Sequence, residues 1–314
     1  MTNVDLRETK RPHRVSVGLS TPWDLWNLDA AARRDRLESI ADAGIDHLFT
    51  ADHISFHDGS GLDAPVMLAA LSGIEPRLDL HAGVLLLALR HPMVVARQIA
   101  TLAEVAPGRV TIGVGVGGED RHEFEVCGVD PATRGRRTDA GLAIVRSLLA
   151  GDTVDGDGEF YDFTGGVIRP TPSSQIPFLV GGRSDAALQR AGRLADGWLA
   201  TWCSPTRCGQ AIGLVEGRDR VPDGGWQHAV QLWVGVGASR AEGRTHVATR
   251  MESFYKIPFE RFEKYTPTGN AEQIAEFLRP YVDAGATTFN LTPCGADREV
   301  EYETIAAVRT LLTS

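Results

Sequence analysis

Short apolar runs alternate along the chain with longer segments in which apolar side chains recur at helical spacing. Continuous apolar runs predict buried strands, and recurrence every three to four residues predicts helices. Eight strands are predicted, at residues 15–19, 45–50, 78–86, 110–114, 178–180, 198–201, 229–236 and 287–292. Helices are predicted between them, at about 29–43, 64–75, 92–106, 133–150, 184–195, 270–284 and 298–312.

Three similar segments mark the change from helix to strand: IADAGIDHLFT (40–50), RLADGWLATW (193–202) and YVDAGATTFNL (281–291). Each contains a glycine (Gly44, Gly197 or Gly285) that is predicted to end the helix in the left-handed conformation. Eight strands alternating with helices predict an α/β fold, a single-domain (β/α)8 TIM barrel, with a doubly wound sheet as the alternative. In a barrel the active site lies at the carboxyl ends of the strands.

The predicted organisation is a polar tail at residues 1–14 and one barrel domain at 15–314, with insertions at about 119–165 and 202–265. The sequence DGDGEFYDFTGG (155–166) predicts a hairpin. Its acidic residues, with one just before it, do not have the spacing of a calcium loop, so they are expected to be turn residues: Asp152, Asp155, Asp157 and Glu159.

Composition narrows the function classes. With 314 residues, 43% of them hydrophobic, the chain can bury a large core. A net charge of -9 argues against nucleic acid or an anionic membrane surface as the main partner. No apolar run is long enough to span a membrane, and the charged N-terminus lacks the apolar core of a signal peptide, so a cytoplasmic location is expected. Four cysteines without CxxC spacing predict neither disulfides nor a zinc site.

A glycine-dense loop, residues 113–118, follows the fourth predicted strand. Gly113, Gly115 and Gly118 match the dinucleotide fingerprint G-x-G-x-x-G, but no apolar helix follows directly and no acidic residue ends the next strand, so a Rossmann site is disfavoured. A backbone without side chains lets N–H groups approach a ligand closely. The loop is therefore a candidate site for the anionic tail of a cofactor.

Three segments together carry a family resemblance: GVLLLALRHP (83–92), QIATLAEVAPGRVTIGVGVG (98–117) and PFLVGGRSDAALQRAGRLADGW (177–198). They resemble, in order and over nearly the whole chain, the bacterial luciferase-like superfamily of flavin and deazaflavin oxidoreductases. The resemblance implies a TIM barrel, commonly a homodimer. It also implies one of two cofactors, either coenzyme F420 for hydride transfer without O2, or reduced FMN with O2.

The resemblance also implies site residues. Asp52 and His53 match an Asp-His pair at the end of the second strand. His53 would be the catalytic proton donor or acceptor, because a histidine titrates near neutral pH, and Asp52 would hydrogen-bond the deazaflavin ring. The alternative is that Asp52 caps the following turn and that His53 is a satisfied residue at the barrel mouth. Gly83-Val84 aligns with a non-proline cis peptide whose bulge supports the back face of the ring.

Two glycine loops match positions whose backbone amides hold the ribityl and phosphate groups of the cofactor. The second loop precedes a helix N-terminus, which favours anions. The matching residues are Gly115, Val116, Gly117, Gly181, Gly182 and Ser184.

The chain departs from sugar-phosphate-oxidising relatives in two ways. They place an acidic residue directly after G-x-G, where this chain has Gly118, with Glu119 one position later. No lysine set for a substrate phosphate is evident, because Lys256 and Lys264 have no clear counterpart. A phosphorylated sugar is therefore disfavoured as the substrate.

Two other groupings deserve an interpretation. His53 and His57, flanked by Asp52 and Asp58, suggest a metal site, but no third ligand is evident, so no metal is predicted. Four tryptophans near strand ends suggest an apolar substrate pocket, although each alone is more often simple packing: Trp23, Trp26, Trp198 and Trp202.

Three hypotheses for function follow. The leading one is F420-dependent hydride transfer to or from a small organic substrate, with His53 moving the proton. The second is an FMN-dependent monooxygenase on the same scaffold. The third is a non-catalytic binding barrel, against which the intact glycine loops argue.

Overall fold

The computed structural model describes residues 15–218 and 220–314, so the predicted polar tail at 1–14 lies outside the described residues. The strands are Ser16–Ser20 (β1), His47–Thr50 (β2), Asp79–Leu86 (β3), Val110–Gly115 (β4), Phe178–Gly181 (β5), Gly197–Ala200 (β6), Ala229–Val236 (β7), Thr268–Gly269 (β8) and Thr288–Cys294 (β9). The α-helices are Ala30–Asp42 (α1), Ala64–Ser72 (α2), Pro92–Val105 (α3), Arg121–Val126 (α4), Arg134–Ala150 (α5), Asp185–Leu194 (α6), Pro205–Glu216 (α7), Arg240–Tyr255 (α8), Ala271–Asp283 (α9) and Arg298–Thr313 (α10).

Eight parallel strands close into a barrel. Strands β1 to β7 pair in chain order, β7 pairs with β9, and β9 returns to β1. The two-residue strand β8 pairs only with the end of β7. The predicted (β/α)8 barrel is confirmed. The doubly wound sheet is wrong, because an open sheet would leave β1 or β9 without its second neighbour.

Glycines end two of the three helices for which this was predicted. Gly44, with φ of 90°, follows α1, and Gly285, with φ of 103°, follows α9. The prediction for Gly197 is wrong, since this residue begins β6 and its φ is not positive. A Cβ at Gly197 would overlap the carbonyl oxygen of Gln227. Glycine is required there by close backbone approach and not by handedness.

The segment 119–165 contains α4, α5 and the predicted hairpin, which closes through an antiparallel bridge between Val154 and Gly166. Two acidic side chains hold its backbone. The Asp155 carboxylate accepts a hydrogen bond from the Gly165 N–H at 2.8 Å, and the Asp157 carboxylate accepts from the Tyr161 N–H at 2.9 Å. These carboxylates therefore act as turn residues.

The segment 202–265 contains α7 and α8, which the apolar pattern did not predict. Over its 16 residues, α8 buries only Gly243, Val247 and Met251, spaced four apart along one face. A stripe this narrow gives little periodic signal. None of the helices in the described ranges is both long and apolar enough to cross a membrane.

A hydrogen-bonded series of polar side chains crosses the barrel interior. Ser16 Oγ lies 3.0 Å from Nδ1 of His47, whose Nε2 lies 2.8 Å from Oδ1 of Asn290. The Asn290 amide donates to Gln231 Oε1 at 3.2 Å, and the Gln231 amide donates to the Gly83 carbonyl at 3.1 Å. The directions agree with a neutral histidine that accepts from Ser16 and donates to Asn290. This series of hydrogen bonds ends on the carbonyl oxygen of the Gly83-Val84 peptide itself.

Burial keeps His47 in this neutral form. The side chain is fully buried, and desolvation lowers its pKa from 6.5 to about 4. The imidazole of His81 stacks on it with ring centroids 3.9 Å apart, and burial lowers the pKa of His81 in the same direction. Two neutral imidazoles therefore occupy the barrel interior at neutral pH.

We predict that the free energy of unfolding falls as the pH falls from about 6.5 towards 4. A histidine whose pKa is about 4 when folded and 6.5 when unfolded binds fewer protons in the folded state across this window, so its contribution is complete above 6.5 and is lost on acidification. The difference corresponds to a loss on the order of 3 kcal/mol. Urea unfolding at about pH 7.5, 6 and 4.5 measures it.

The matched variant is His47→Gln, which removes one titrating group and keeps hydrogen-bonding atoms. It should be less stable at neutral pH and should lose less stability between about pH 6.5 and 4. An equally steep loss in the variant would show that His47 does not set the acid response.

Candidate active site

The carboxylate of Asp52 gathers the loops at one edge of the barrel mouth. It follows β2 and is only 1% exposed. Oδ1 accepts from the Ala64 N–H at 2.9 Å, at the start of α2, and Oδ2 accepts from the Leu86 N–H at 2.9 Å, at the end of β3. Each oxygen also accepts from one guanidinium nitrogen of Arg90, at 2.8 and 2.5 Å. One side chain thus joins the ends of β2 and β3 to α2.

These four donors fill the acceptor positions of the Asp52 carboxylate. A direct hydrogen bond from Asp52 to a cofactor ring would have to displace one of them. The geometry agrees with the alternative in which Asp52 caps the following turn, because its carboxylate holds the backbone of the loops in position. Burial alone would lower the pKa of Arg90, but Asp52 and Asp63 outweigh that effect and raise it, so the guanidinium group stays charged.

His53 faces the buried carboxylate of Glu123, which is not among the site residues predicted from the sequence. Its Nδ1 lies 3.2 and 3.3 Å from the two carboxylate oxygens of Glu123, while its side chain keeps 19% exposure. The backbone N–H groups of Ile54 and Ser55 also donate to Glu123, at 2.6 and 3.2 Å. A carboxylate on Nδ1 fixes the tautomer that carries its proton there, which leaves Nε2 as the acceptor.

Glu123 reaches this position because α4 is short and immediately follows the glycine loop. Asp120 begins the helix by accepting from the His122 N–H at 2.9 Å, and Glu123 lies three residues later with 2% exposure. A sequence signal was present, since Asp-x-x-Glu is the pattern of a helix start. This pattern predicts only that Glu123 helps to cap the helix. It does not predict that the carboxylate contacts His53, 70 positions earlier in the chain.

The Gly83-Val84 peptide is cis, as the resemblance implied. The β3–β4 pairing shifts register between Ala82 and Leu85, so a bulge lies at this point. The Val84 side chain packs on Leu179, Leu199 and Ala229 inside the barrel and remains partly exposed. It therefore presents an apolar surface towards the open mouth.

Glycines on β4, the neighbouring strand, and on β5, the strand beyond it, make room for Val84. A Cβ at Gly115 would overlap its side chain, and Cβ atoms at Gly113 and Gly181 would come within 3.1 and 3.2 Å of it. The lack of side chains at these glycines thus leaves space for Val84 as well as for any ligand. Val116 follows Gly115 and is partly exposed at the mouth.

The rest of the first glycine loop turns sharply towards α4. Gly117 has φ of 62° and Gly118 has φ of 114°, conformations that favour glycine. A Cβ on Gly117 would lie 2.9 Å from the Phe124 ring. The loop that follows β4 and the helix that carries Glu123 are therefore packed as one unit.

The second glycine loop joins β5 to α6 beside a small basic pocket. The Gly182 carbonyl accepts from Trp198 Nε1 at 2.7 Å, and the Ser184 hydroxyl caps α6 by accepting from the Ala187 N–H at 3.2 Å. A cavity of about 130 Å³ beside it is lined by Arg183 and Arg207 together with other side chains. Two guanidinium groups next to a helix N-terminus are donors suited to a phosphate, so the residues present fit the tail of a phosphorylated cofactor.

The four tryptophans do not form the predicted pocket. Trp198 is buried in the core, and Trp26 donates to the Met67 sulfur at 2.9 Å. Trp23 is 60% exposed beneath Arg250, whose guanidinium carbon lies 4.8 Å from the ring centroid. Trp202 contacts the rings of Tyr255 and Phe262 and lines the basic cavity together with Trp198.

The histidines considered as metal ligands have separate partners. His57 Nδ1 lies 3.9 Å from Asp120, whereas His53 faces Glu123. Within the described ranges, no three His, Cys, Asp or Glu side chains converge in a way that could hold a metal ion.

Comparison with known proteins identifies relatives. An uncharacterized protein of Mycobacterium tuberculosis is 40% identical over 162 residues, covering 51% of this chain and 56% of that protein. The F420-dependent glucose-6-phosphate dehydrogenase of Beutenbergia cavernae is 36% identical over 166 residues, covering 51% of this chain and 49% of the enzyme. The chain thus spans about half the length of the curated relatives it matches.

A solved F420-dependent secondary alcohol dehydrogenase, in complex with an F420-acetone adduct, superposes with a TM-score of 0.81. The superposition covers 96% of this chain and 100% of the other, at 16% sequence identity, which shows the shared barrel fold. Residues 13–287 match the family model described as luciferase-like monooxygenase. The resemblance inferred from the sequence is therefore confirmed, and the chain belongs to the luciferase-like monooxygenase family.

Proposed function

We propose that the protein is an F420-dependent oxidoreductase that transfers a hydride to or from a small organic substrate. The observation that carries the proposal is the His53–Glu123 pair. A partly exposed imidazole with a buried carboxylate on one nitrogen stands at the barrel mouth, where β2 and the Val84-bearing strand β3 are joined by Asp52. Acid–base chemistry needs such an oriented group, whereas a non-catalytic binding barrel does not.

Coenzyme F420, when bound, supplies a deazaflavin ring that accepts or gives a hydride. The side chain of Val84 would support one face of that ring. The backbone of Gly115, Val116 and Gly117 and the loop of Gly181, Gly182 and Ser184 would hold its ribityl and phosphate groups. The basic pocket at Arg183 and Arg207 supports this placement of the tail.

His53 moves the proton in this proposal. In the oxidising direction, Nε2 accepts the hydroxyl proton of an alcohol; in the reducing direction, the protonated ring returns a proton to the carbonyl oxygen. Glu123 is a positioning residue, because it holds Nδ1 and stabilises the imidazolium while that cation exists. Asp52 is also a positioning residue, since it fixes the backbone on which His53 stands.

Two relatives support F420 as the cofactor, because an F420-dependent dehydrogenase is 36% identical to half of this chain and an F420-dependent alcohol dehydrogenase shares its fold. The second candidate is an FMN-dependent monooxygenase, which the description of the family supports. The predicted homodimer belongs to this proposal as an implication of the resemblance, and the cytoplasmic location stays a prediction.

We predict that the purified protein binds F420 at least about tenfold more tightly than FMN, a difference of about 1.4 kcal/mol. Quenching of intrinsic tryptophan fluorescence measures both affinities, since Trp198 and Trp202 line the basic pocket. Tighter FMN binding, with substrate turnover that requires O2, would favour the monooxygenase. Binding of neither cofactor would reject both enzymatic proposals.

We predict that His53→Asn lowers kcat for F420-dependent turnover by about a hundredfold, and that Glu123→Gln lowers it by about tenfold. Both variants should retain F420 affinity, because neither side chain is assigned to the cofactor tail. The paired effect should be non-additive, with Glu123→Gln costing little once His53 is Asn.

Glu125→Gln is the matched control, since Glu125 lies on the same helix but is exposed and pairs with Arg121 at 3.1 Å. It should leave kcat unchanged. If Glu123→Gln behaved like this control, or if the two effects added fully, Glu123 would have no role in positioning His53.

A further inference from the structure

Six aromatic side chains form a continuous surface beside His53, which we call the aromatic wall. They come from the loop after β2, the end of β6, strand β7, the end of α8 and the turn after it. The aromatic wall consists of Phe56, Trp202, Trp233, Phe254, Tyr255 and Phe262.

The wall begins at the proposed proton donor. The Phe56 ring lies 4.1 Å from the His53 imidazole and stacks on Phe254 with centroids 5.5 Å apart. From Phe254 the surface continues to Trp233, at 5.8 Å. Any substrate whose reacting carbon lies next to His53 therefore has its remaining atoms within reach of these rings.

The far part of the wall is held by ring contacts and one hydrogen bond. Trp233 Nε1 donates to the Tyr255 hydroxyl at 3.1 Å, and Trp202 lies 4.7 Å from Phe262. Burial, and next the charge of Glu119, raise the pKa of Tyr255, so its hydroxyl stays neutral. The wall is therefore apolar apart from neutral hydrogen-bonding groups.

Five of the six rings are incompletely buried, whereas Phe56, the ring next to His53, is enclosed with 3% exposure. Phe254 is 40% exposed, and Trp202, Trp233, Tyr255 and Phe262 are partly exposed. Aromatic rings that serve only as core are enclosed, as Phe124 and Phe289 are in this barrel. A contiguous apolar surface left open next to an acid–base group is typical of a small-molecule site.

The backbone around the wall is unusual. The described ranges contain three non-glycine residues with positive φ: His57 at 50°, Trp202 at 50° and Lys256 at 55°. Trp202 belongs to the wall, His57 follows Phe56, and Lys256 follows Tyr255. Such conformations are costly for residues with a Cβ and concentrate at functional sites. Here each one adjoins an aromatic ring of the wall.

Three basic side chains near the wall have other partners, and Arg183 and Arg207, which share a cavity with Trp202, are assigned to the cofactor tail in the proposed function. Arg244 pairs with Glu263 at 2.5 Å, Arg250 stacks on Trp23, and Lys264 lies 4.8 Å from the Tyr265 ring. A substrate phosphate requires cations whose donors converge on it. The surface instead matches a hydrocarbon group.

We infer that the aromatic wall binds the apolar part of an uncharged secondary alcohol or ketone, such as one with a saturated hydrocarbon ring, and that a phosphorylated sugar is not the substrate. This inference rests on the proposed function. In the oxidising direction the carbinol carbon loses a hydride, with both electrons, to the oxidised deazaflavin, and the hydroxyl proton passes to His53 Nε2. The alcohol becomes a ketone and the deazaflavin becomes reduced; the reverse reaction balances in the same way.

Cyclohexanol and glucose 6-phosphate are the probes. Saturation-transfer NMR, with and without F420, should detect cyclohexanol on the protein and should not detect glucose 6-phosphate. With F420, kcat/KM for cyclohexanol should exceed that for glucose 6-phosphate by about a hundredfold, or 2.7 kcal/mol. Stronger binding or turnover of glucose 6-phosphate would overturn the inference.

Phe254→Ala tests the wall directly, because the exposed ring can be removed with little effect on folding. It should raise KM for cyclohexanol about tenfold, or 1.4 kcal/mol, weaken the NMR signal and leave F420 affinity unchanged. Phe160→Ala is the control, since Phe160 packs against Arg136 and Arg137 in the distant hairpin.

The substrate assignment and the proposed function can be rejected separately. An unchanged KM and NMR signal in Phe254→Ala, with normal F420 binding, would overturn the substrate assignment and leave the proposed function intact. Absence of F420 binding would reject the proposed function. In that case the cofactor-free NMR measurement would still decide whether the wall binds the alcohol.

Discussion

The site depends on the burial of one carboxylate with four donors. Asp52 cannot be enclosed unless each oxygen is satisfied, and the donors come from β3, α2 and Arg90. The loops that close this network also define where His53 stands. Because Glu123 then binds the backbone of Ile54 and Ser55, a second buried carboxylate extends the same constraint across to α4. Two buried carboxylates, Asp52 and Glu123, thus hold the loops at the mouth of the barrel in position.

Below this edge the barrel interior is polar but uncharged. The hydrogen bonds from Ser16 through His47, Asn290 and Gln231 reach the Gly83 carbonyl, so the bulge is held from below by groups whose directions agree. Above the bulge lie the glycine loops and the aromatic wall. The barrel therefore brings together a neutral hydrogen-bonded support, an apolar side chain at Val84 and an imidazole oriented by Glu123, which the proposed transfer of a hydride and a proton requires.

The sequence predicted the fold well because parallel barrel strands are buried on both faces and read as continuous apolar runs, as β5 and β6 do. The resemblance located the cis peptide and bulge at Gly83-Val84, and the role that it implies for His53 stays a prediction. The sequence-based prediction missed α8, whose buried stripe is narrow, and Glu123, whose partner lies 70 residues away. Spacing along a chain predicts contacts within an element. It does not predict which loops meet at the mouth of a barrel, and this is why the ion pair between Asp52 and Arg90 was not predicted.

The crowding around Val84 has an evolutionary consequence. Its side chain occupies space that three glycines on β4 and β5 leave empty, and a methyl group at Gly115 would overlap it. Neither partner can enlarge alone without displacing the other. A larger residue at one of these glycines is therefore expected to be tolerated in descendants of this sequence where Val84 has first become smaller, which couples four positions spread over about a hundred residues.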